Sequence, residues 1–190
     1  MKICVAGLGI IGGSICMALK RAGYAVDGYD ISPFPPEYAL NNDIIDGVAD
    51  RFDGYDTVFV AMPYGATLNF ILNTRFKAGA VVSDICGVKK PVEDAVLSYK
   101  RNFSYVGCHP MAGKEVSGIE NACAELFDGK NMVITGNSET DEKAVETVMK
   151  LTEEMGFGYI VRCSAGTHDR KIAYTSQLAH VVSNAYVKSP

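Results

Sequence analysis

The sequence predicts an α/β fold in which a mostly parallel, doubly wound sheet is followed by the start of a helical unit. Three observations lead there. Short apolar runs rich in β-branched residues alternate with stretches of helical period, the pattern of successive β-α-β units. A G-x-G-x-x-G spacing sits where the first apolar run gives way to the first helical stretch. The last stretch, 165 to 187, keeps a helical period and is not followed by another strand.

Taken in order, "KICVA" (2–6) reads as a buried strand ended by Gly7. "IIGGSICMALKRA" (10–22) places Ile11, Ile15, Ala18 and Leu19 at helical spacing and stops at Gly23. "AVDGYD" (25–30) is a second strand, "SPFPPEY" (32–38) a proline-rich loop, and a short helical stretch and "DGVADRF" (46–52) follow. "DTVFVAMP" (56–63) is a strand closed by Pro63, succeeded by a helix over about 66–76, the strand "AVVSD" (80–84) and a helix beginning near Lys90 and Pro91. "FSYVGC" (103–108) and "NMVIT" (131–135) are strands with a short helix "ENACAELF" (120–127) between them. An amphipathic helix (141–156) and a last strand (159–163) complete a domain over 1–163. The long helix beyond, with Ile172, Leu178, Val181, Val182 and Val187 along it, opens a second unit over 164–190.

Composition narrows the function classes. With 18 Lys and Arg against 22 Asp and Glu, a net charge of −4 gives no broad attraction to nucleic acid or anionic membranes. No apolar run approaches the roughly 20 residues of a membrane-spanning helix, and the apolar start is explained by its glycine spacing better than by a signal peptide. Six cysteines without a C-x-x-C pair suggest reduced, mostly buried thiols in a cytoplasmic protein. The three histidines fit no metal-ligand spacing, so no metal site is expected.

"GLGIIGG" (7–13) supplies Gly7 for the tight turn, Gly9 for close approach of a pyrophosphate and Gly12 for helix–strand packing. Leu8, Ile10 and Ile11 complete the loop, whose helix start favours anions. Asp30 stands 18 residues after Gly12, at the end of the next strand, where its carboxylate can accept the ribose hydroxyls and repel a 2′-phosphate. Ser32 and the rest of "ISP" offer no cation for such a phosphate, so NAD is expected over NADP. The context is that of a Rossmann-type dinucleotide fold, whose ligands lie at the carboxyl ends of the strands. Those ends carry Met62 and Pro63, Asp84 to Gly87, and His109. Met62, Pro63 and Asp84 are accordingly expected at the cofactor. A neutral imidazole at His109 could take the proton of an alcohol undergoing hydride transfer.

The segments "GLGIIGGS", "SDICGVKKP", "GCHPMAGKEVSGIENA", "LFDGK" and "HDRKIAYTSQLAH", in that order, resemble the prephenate and arogenate dehydrogenases of tyrosine biosynthesis. The resemblance implies NAD-dependent oxidative decarboxylation of a cyclohexadienol, either prephenate or arogenate, by a homodimer. It makes His109 the catalytic base on the ring hydroxyl and Glu115 part of the polar network around it. It places Gln177 and His180 on the helical side of the substrate, and groups Lys89 and Gly87 with the substrate-contacting loop. Gly87 stands where a serine is common, and Ala179 where proline is usual. The family continues into a helical dimerisation domain that supplies a substrate-binding arginine, so the resemblance implies a chain shortened at its C-terminus; no Arg follows Arg170. A nucleotide-binding module without turnover, or a different hydroxy-acid dehydrogenase, stays open as an alternative. His168, Asp169 and Arg170 read as a solvated or capping helix start.

Overall fold

The computed structural model describes residues 1–178 together with Val181, Ser183 and Tyr186, without the side chains of Ser176 and Gln177. Eight strands form one sheet: β1 (Ile3–Ala6), β2 (Val26–Tyr29), β3 (Gly47–Val48), β4 (Thr57–Val60), β5 (Val81–Asp84), β6 (Ser104–Pro110), β7 (Asn131–Thr135) and β8 (Tyr159–Cys163). Their order across the sheet is β3-β2-β1-β4-β5-β6-β7-β8. Every pairing is parallel except that of β6 with β7. The order reverses between β1 and β4, which opens a crevice above their carboxyl ends.

Helices α1 (Ile10–Arg21), α2 (Phe34–Asn41), α3 (Tyr64–Asn73), α4 (Lys90–Leu97), α5 (Glu142–Glu154) and α6 (Ala165–Ile172) connect or follow the strands. Both faces of the sheet are covered. Ile3, Val5 and Phe59 pack with Ile15, Leu19, Val148 and Leu151 on one side. Cys4, Ala6, Val58 and Val60 pack with Ile71, Phe76, Val92 and Val96 on the other. Alternate residues of one strand thus serve opposite cores, the period-2 geometry of a strand buried on both faces.

Several boundaries differ from the sequence reading. The proline-rich loop is shorter than expected, because α2 begins at Phe34 with prolines in its first turn, where an N–H has no helical partner to lose. The strand over 56–63 ends at Val60, and α3 starts directly after Pro63. β6 runs on through His109 and Pro110 because antiparallel pairing with Val133 and Met132 extends it. The expected helix over 120–127 is a pair of 3-10 turns, Ile119–Asn121 and Ala124–Phe127. The terminal helix widens into a π-helical segment at Ala173–Gln177. Among the described residues no helix is long and apolar enough to cross a membrane.

Candidate active site

The glycine loop makes a cradle at the start of α1. Gly7 has φ +96°, and a Cβ there would lie 2.4 Å from the carbonyl oxygen of Ala61. A Cβ on Gly12 would lie 1.8 Å from the Gly7 carbonyl oxygen, so α1 can cross β1 this closely only with glycine. At Gly9 a Cβ would meet nothing within 4 Å: it would project into open space. The α1 N-terminus has no side-chain cap and no acidic residue in its first turn, leaving its N–H groups available to an anion. Beside it the Asp30 carboxylate accepts the Leu8 N–H at 2.8 Å and the Ser32 N–H at 2.9 Å. A cavity of about 380 Å³ runs from Gly7 and Gly9 past Asp30 to Ile31, Asn69 and Phe70. An open anion cradle with a carboxylate at its flank fits the pyrophosphate and ribose of NAD. Ile10 is half-buried, while Leu8 is wholly buried and serves the loop through its backbone.

Ala61, Met62 and Pro63 also border a second cavity of about 640 Å³ that continues over β4, β5 and β6. Ile11, Ile85, Cys86, Gly87 and Val88 line it, with Ile172 and Ala173 closing it from the terminal helix. His109 and Asp169 are its titratable lining residues besides Tyr64 and Cys86. Burial, together with His168 and Lys89 nearby, lowers His109 to about 4, so its ring is neutral at physiological pH. Its Nδ1 lies 2.8 Å from Nε2 of His168. Its Nε2 is turned toward Gly87, where a Cβ would stand 3.6 Å away. The glycine leaves that space free of a side chain.

Beneath His109 lies a buried ionic network. Lys89 Nζ pairs with the Asp84 carboxylate and donates to the Cys108 carbonyl at 2.5 Å. Asp84 also accepts the Tyr105 hydroxyl at 2.5 Å and the Cys86 N–H at 2.9 Å. Both Lys89 and Asp84 are 0% exposed. Lys89 and Asp84 line neither cavity, against the expectation of a substrate contact for Lys89 and a cofactor contact for Asp84. The lysine stem instead passes over Gly107, where a Cβ would sit 3.3 Å from its Cδ.

The other candidates are unevenly placed. Glu115 is exposed on the loop after β6, outside the lining of the cavity. The Gln177 side chain and His180 lie outside the described residues. Against the expectation of a solvated helix start, His168 is 2% exposed and Asp169 half-buried. Ser164 caps α6, and His168 falls on its buried face with Ala165. From there it reaches His109, and its Nδ1 lies 2.7 Å from Oδ1 of Asp169. Asp169 also accepts the backbone N–H of Lys89 and of Lys90, both at 2.9 Å. It thereby caps α4, which has no side-chain cap of its own. The i, i+3, i+7 spacing of Ala165, His168 and Ile172 carried this information in the sequence.

Comparison with known proteins identifies the family. The family model "Prephenate dehydrogenase, nucleotide-binding domain" matches residues 15–161. The chain is 32% identical to the prephenate dehydrogenase of Bacillus subtilis (strain 168), over 97% of its own length and 52% of that protein. It superposes on a crystal structure of the Aquifex aeolicus prephenate dehydrogenase in complex with hydroxyphenyl propionate and NAD+ with a TM-score of 0.87 and 28% identity, covering 98% of this chain and 68% of that one. Against the Synechocystis arogenate dehydrogenase the TM-score is 0.90 at 26% identity, covering 99% and 68% respectively. The chain spans about half the length of the Bacillus subtilis protein. It belongs to the prephenate dehydrogenase family and carries that family's nucleotide-binding domain.

Proposed function

We propose that this chain serves the NAD-dependent oxidative decarboxylation of prephenate to 4-hydroxyphenylpyruvate, with His109 as the base. One observation carries the reading: a neutral imidazole, with Nε2 turned toward Gly87, at the strand end where the second cavity adjoins the nucleotide cradle. The α1 N-terminus would hold the pyrophosphate and Asp30 the adenosine ribose. Bound NAD supplies the hydride acceptor. His109 Nε2 accepts the proton of the ring hydroxyl as the carbon bearing it loses hydride and becomes a carbonyl. Carbon dioxide then departs, its bonding electron pair makes the ring aromatic, and the phenolate oxygen takes the proton back from the imidazolium. Ile11, Ile85, Val88 and Ile172 give the cavity apolar lining beside His109.

We take the keto acid over the amino acid from what the described lining offers. An arogenate ammonium would need a carboxylate, and the one among the described lining residues, Asp169, is taken up by His168 and two backbone N–H groups. We read residues 1–163 as the nucleotide-binding domain and 164–190 as the beginning of a helical substrate and dimerisation unit, in a homodimer. Formation of NADH, followed by its absorbance with prephenate and arogenate in parallel, tests the reading. Turnover of prephenate is expected. Turnover of arogenate alone would reassign the substrate, and silence with both while NAD still binds would make the chain a cofactor-binding unit.

A further inference from the structure

We propose that Asp169 and His168 are positioning residues that fix the tautomer of His109, holding the proton on Nδ1 so that Nε2 is the acceptor facing the cavity. The inference deepens the function proposed above and rests on His109 acting as a base there. It begins at Asp169. A carboxylate can only accept hydrogen bonds, and two of its lone pairs are pinned by the N–H groups of Lys89 and Lys90. Burial raises its affinity for a proton, but the bonds from His168 and these two N–H groups outweigh burial and keep it below the usual carboxylate range. The close contact of 2.7 Å with His168 Nδ1 therefore requires the proton on that nitrogen. With His168 taken as neutral, its ring carries one N–H, at Nδ1, so His168 Nε2 is bare and accepts. The 2.8 Å contact to His109 Nδ1 then requires an N–H on His109 Nδ1, and Nε2 of His109 is left with its lone pair. Each assignment forces the next, and the last one delivers the form a base needs.

The same carboxylate ties the device to the fold. Asp169 belongs to α6, yet it holds the first N–H groups of α4, immediately after the Gly87 loop that borders His109 Nε2. The two rings meet edge to face, at 5.1 Å between centroids and 70° between planes. Neither His168 nor Asp169 needs to touch the reacting atoms. Their effect on the reaction passes through the orientation of one ring.

Ring 15N NMR of the histidine-labelled protein tests this directly, because three histidines can be assigned with the single variants His109→Asn and His180→Asn. The expected result is a neutral His109 protonated at Nδ1 and a neutral His168 protonated at Nδ1. A His109 protonated at Nε2 beside an imidazolium at His168 would overturn the proposal, and this measurement is read on the unaltered relay without turnover. In His168→Leu the acceptor is gone, so the Nε2-protonated form of His109 should rise and turnover fall about ten- to a hundred-fold, with NAD affinity within about two-fold. His168→Gln, which can return an acceptor oxygen, should restore the Nδ1 tautomer and most of the turnover. An unchanged tautomer in folded His168→Leu would sink the positioning role alone. Absence of turnover in wild type with the predicted tautomer intact would instead sink the proposed function.

Discussion

Lys89 and Lys90 are neighbours in sequence, and replacing each by methionine should have opposite consequences. Lys90 pairs with Asp94 at the surface, one helical turn away, with both side chains more than half exposed. Such pairs exchange one well-solvated arrangement for another. The Lys89 ammonium is wholly buried, and its removal strands the Asp84 carboxylate, also at 0% exposure, with only the Tyr105 hydroxyl and the Cys86 N–H as donors. The Cys108 carbonyl loses a donor as well. Breaking one side of a buried pair costs about 3–5 kcal/mol. With a urea slope of about 2 kcal/mol per molar, that moves the unfolding midpoint down by about 2 M, a large part of the stability of an ordinary domain. Urea titration followed by circular dichroism is the assay. Lys90→Met should leave the midpoint within error of wild type. Adding Asp84→Asn to Lys89→Met should recover part of the loss, since an amide removes the buried charge while still accepting from Tyr105. A midpoint shift below about 0.5 M in Lys89→Met, with unchanged slope, would refute the assignment of Lys89 and Asp84 to a structural ion pair.

Gly9→Ala should fold, staying within about 1 kcal/mol of wild type, and lose NAD affinity at least about ten-fold because its methyl enters the cradle; calorimetry reads the affinity. Gly12→Ala, whose methyl would strike the Gly7 carbonyl, should fail to give a stable fold at all, which thermal melting reads. His109→Asn should keep NAD affinity and lower turnover by about 10² to 10⁴, and a variant with full turnover would remove the residue from the mechanism. Burial holds His109 at about 4 in the folded chain against an ordinary value of 6.5. The unfolded chain therefore binds the proton first, and the fold should lose stability as pH falls from about 6.5 to about 4. His109→Gln should flatten that part of the stability curve relative to wild type; a parallel curve would contradict the depressed value.

The sheet was legible because each strand writes its own signal: apolar, β-branched, four to seven residues, closed by Gly, Pro or Asp. The nucleotide loop was legible because its three glycines answer three separate steric demands, of which two are visible as collisions and the third as open space. The catalytic side was read less completely. His109 stands out by type and position, whereas Lys89 is chemically indistinguishable in sequence from the exposed Lys90 beside it. What buries Lys89 is the absence of a side chain at Gly107, 18 positions away in an adjacent strand. His168 and Asp169 were missed for a different reason. Polar residues just inside a helix are commonly solvated, and the opposite outcome here depends on where α6 lands after β8.

A base with a pKa near 4 is weak by the usual measure, since proton transfer is most efficient when the base titrates near the working pH. The proposed reaction relaxes that requirement. If decarboxylation and aromatisation make the transfer of hydride strongly downhill, the hydroxyl proton leaves a bond that is already failing, and strength matters less than availability. Burial that lowers His109 keeps the neutral form at any pH well above 4, and in the proposed relay the contact with His168 turns its one lone pair to the cavity. Asp84 and Asp169 oppose the lowering, so negative charge stands close by when the imidazolium forms. The pH profile follows: turnover per unit substrate affinity should stay level from pH 8 down to about 5 and fall only toward the pKa of His109. A fall centred near 6.5 would mean that the ring titrates as an ordinary histidine, and that its burial contributes nothing to the base.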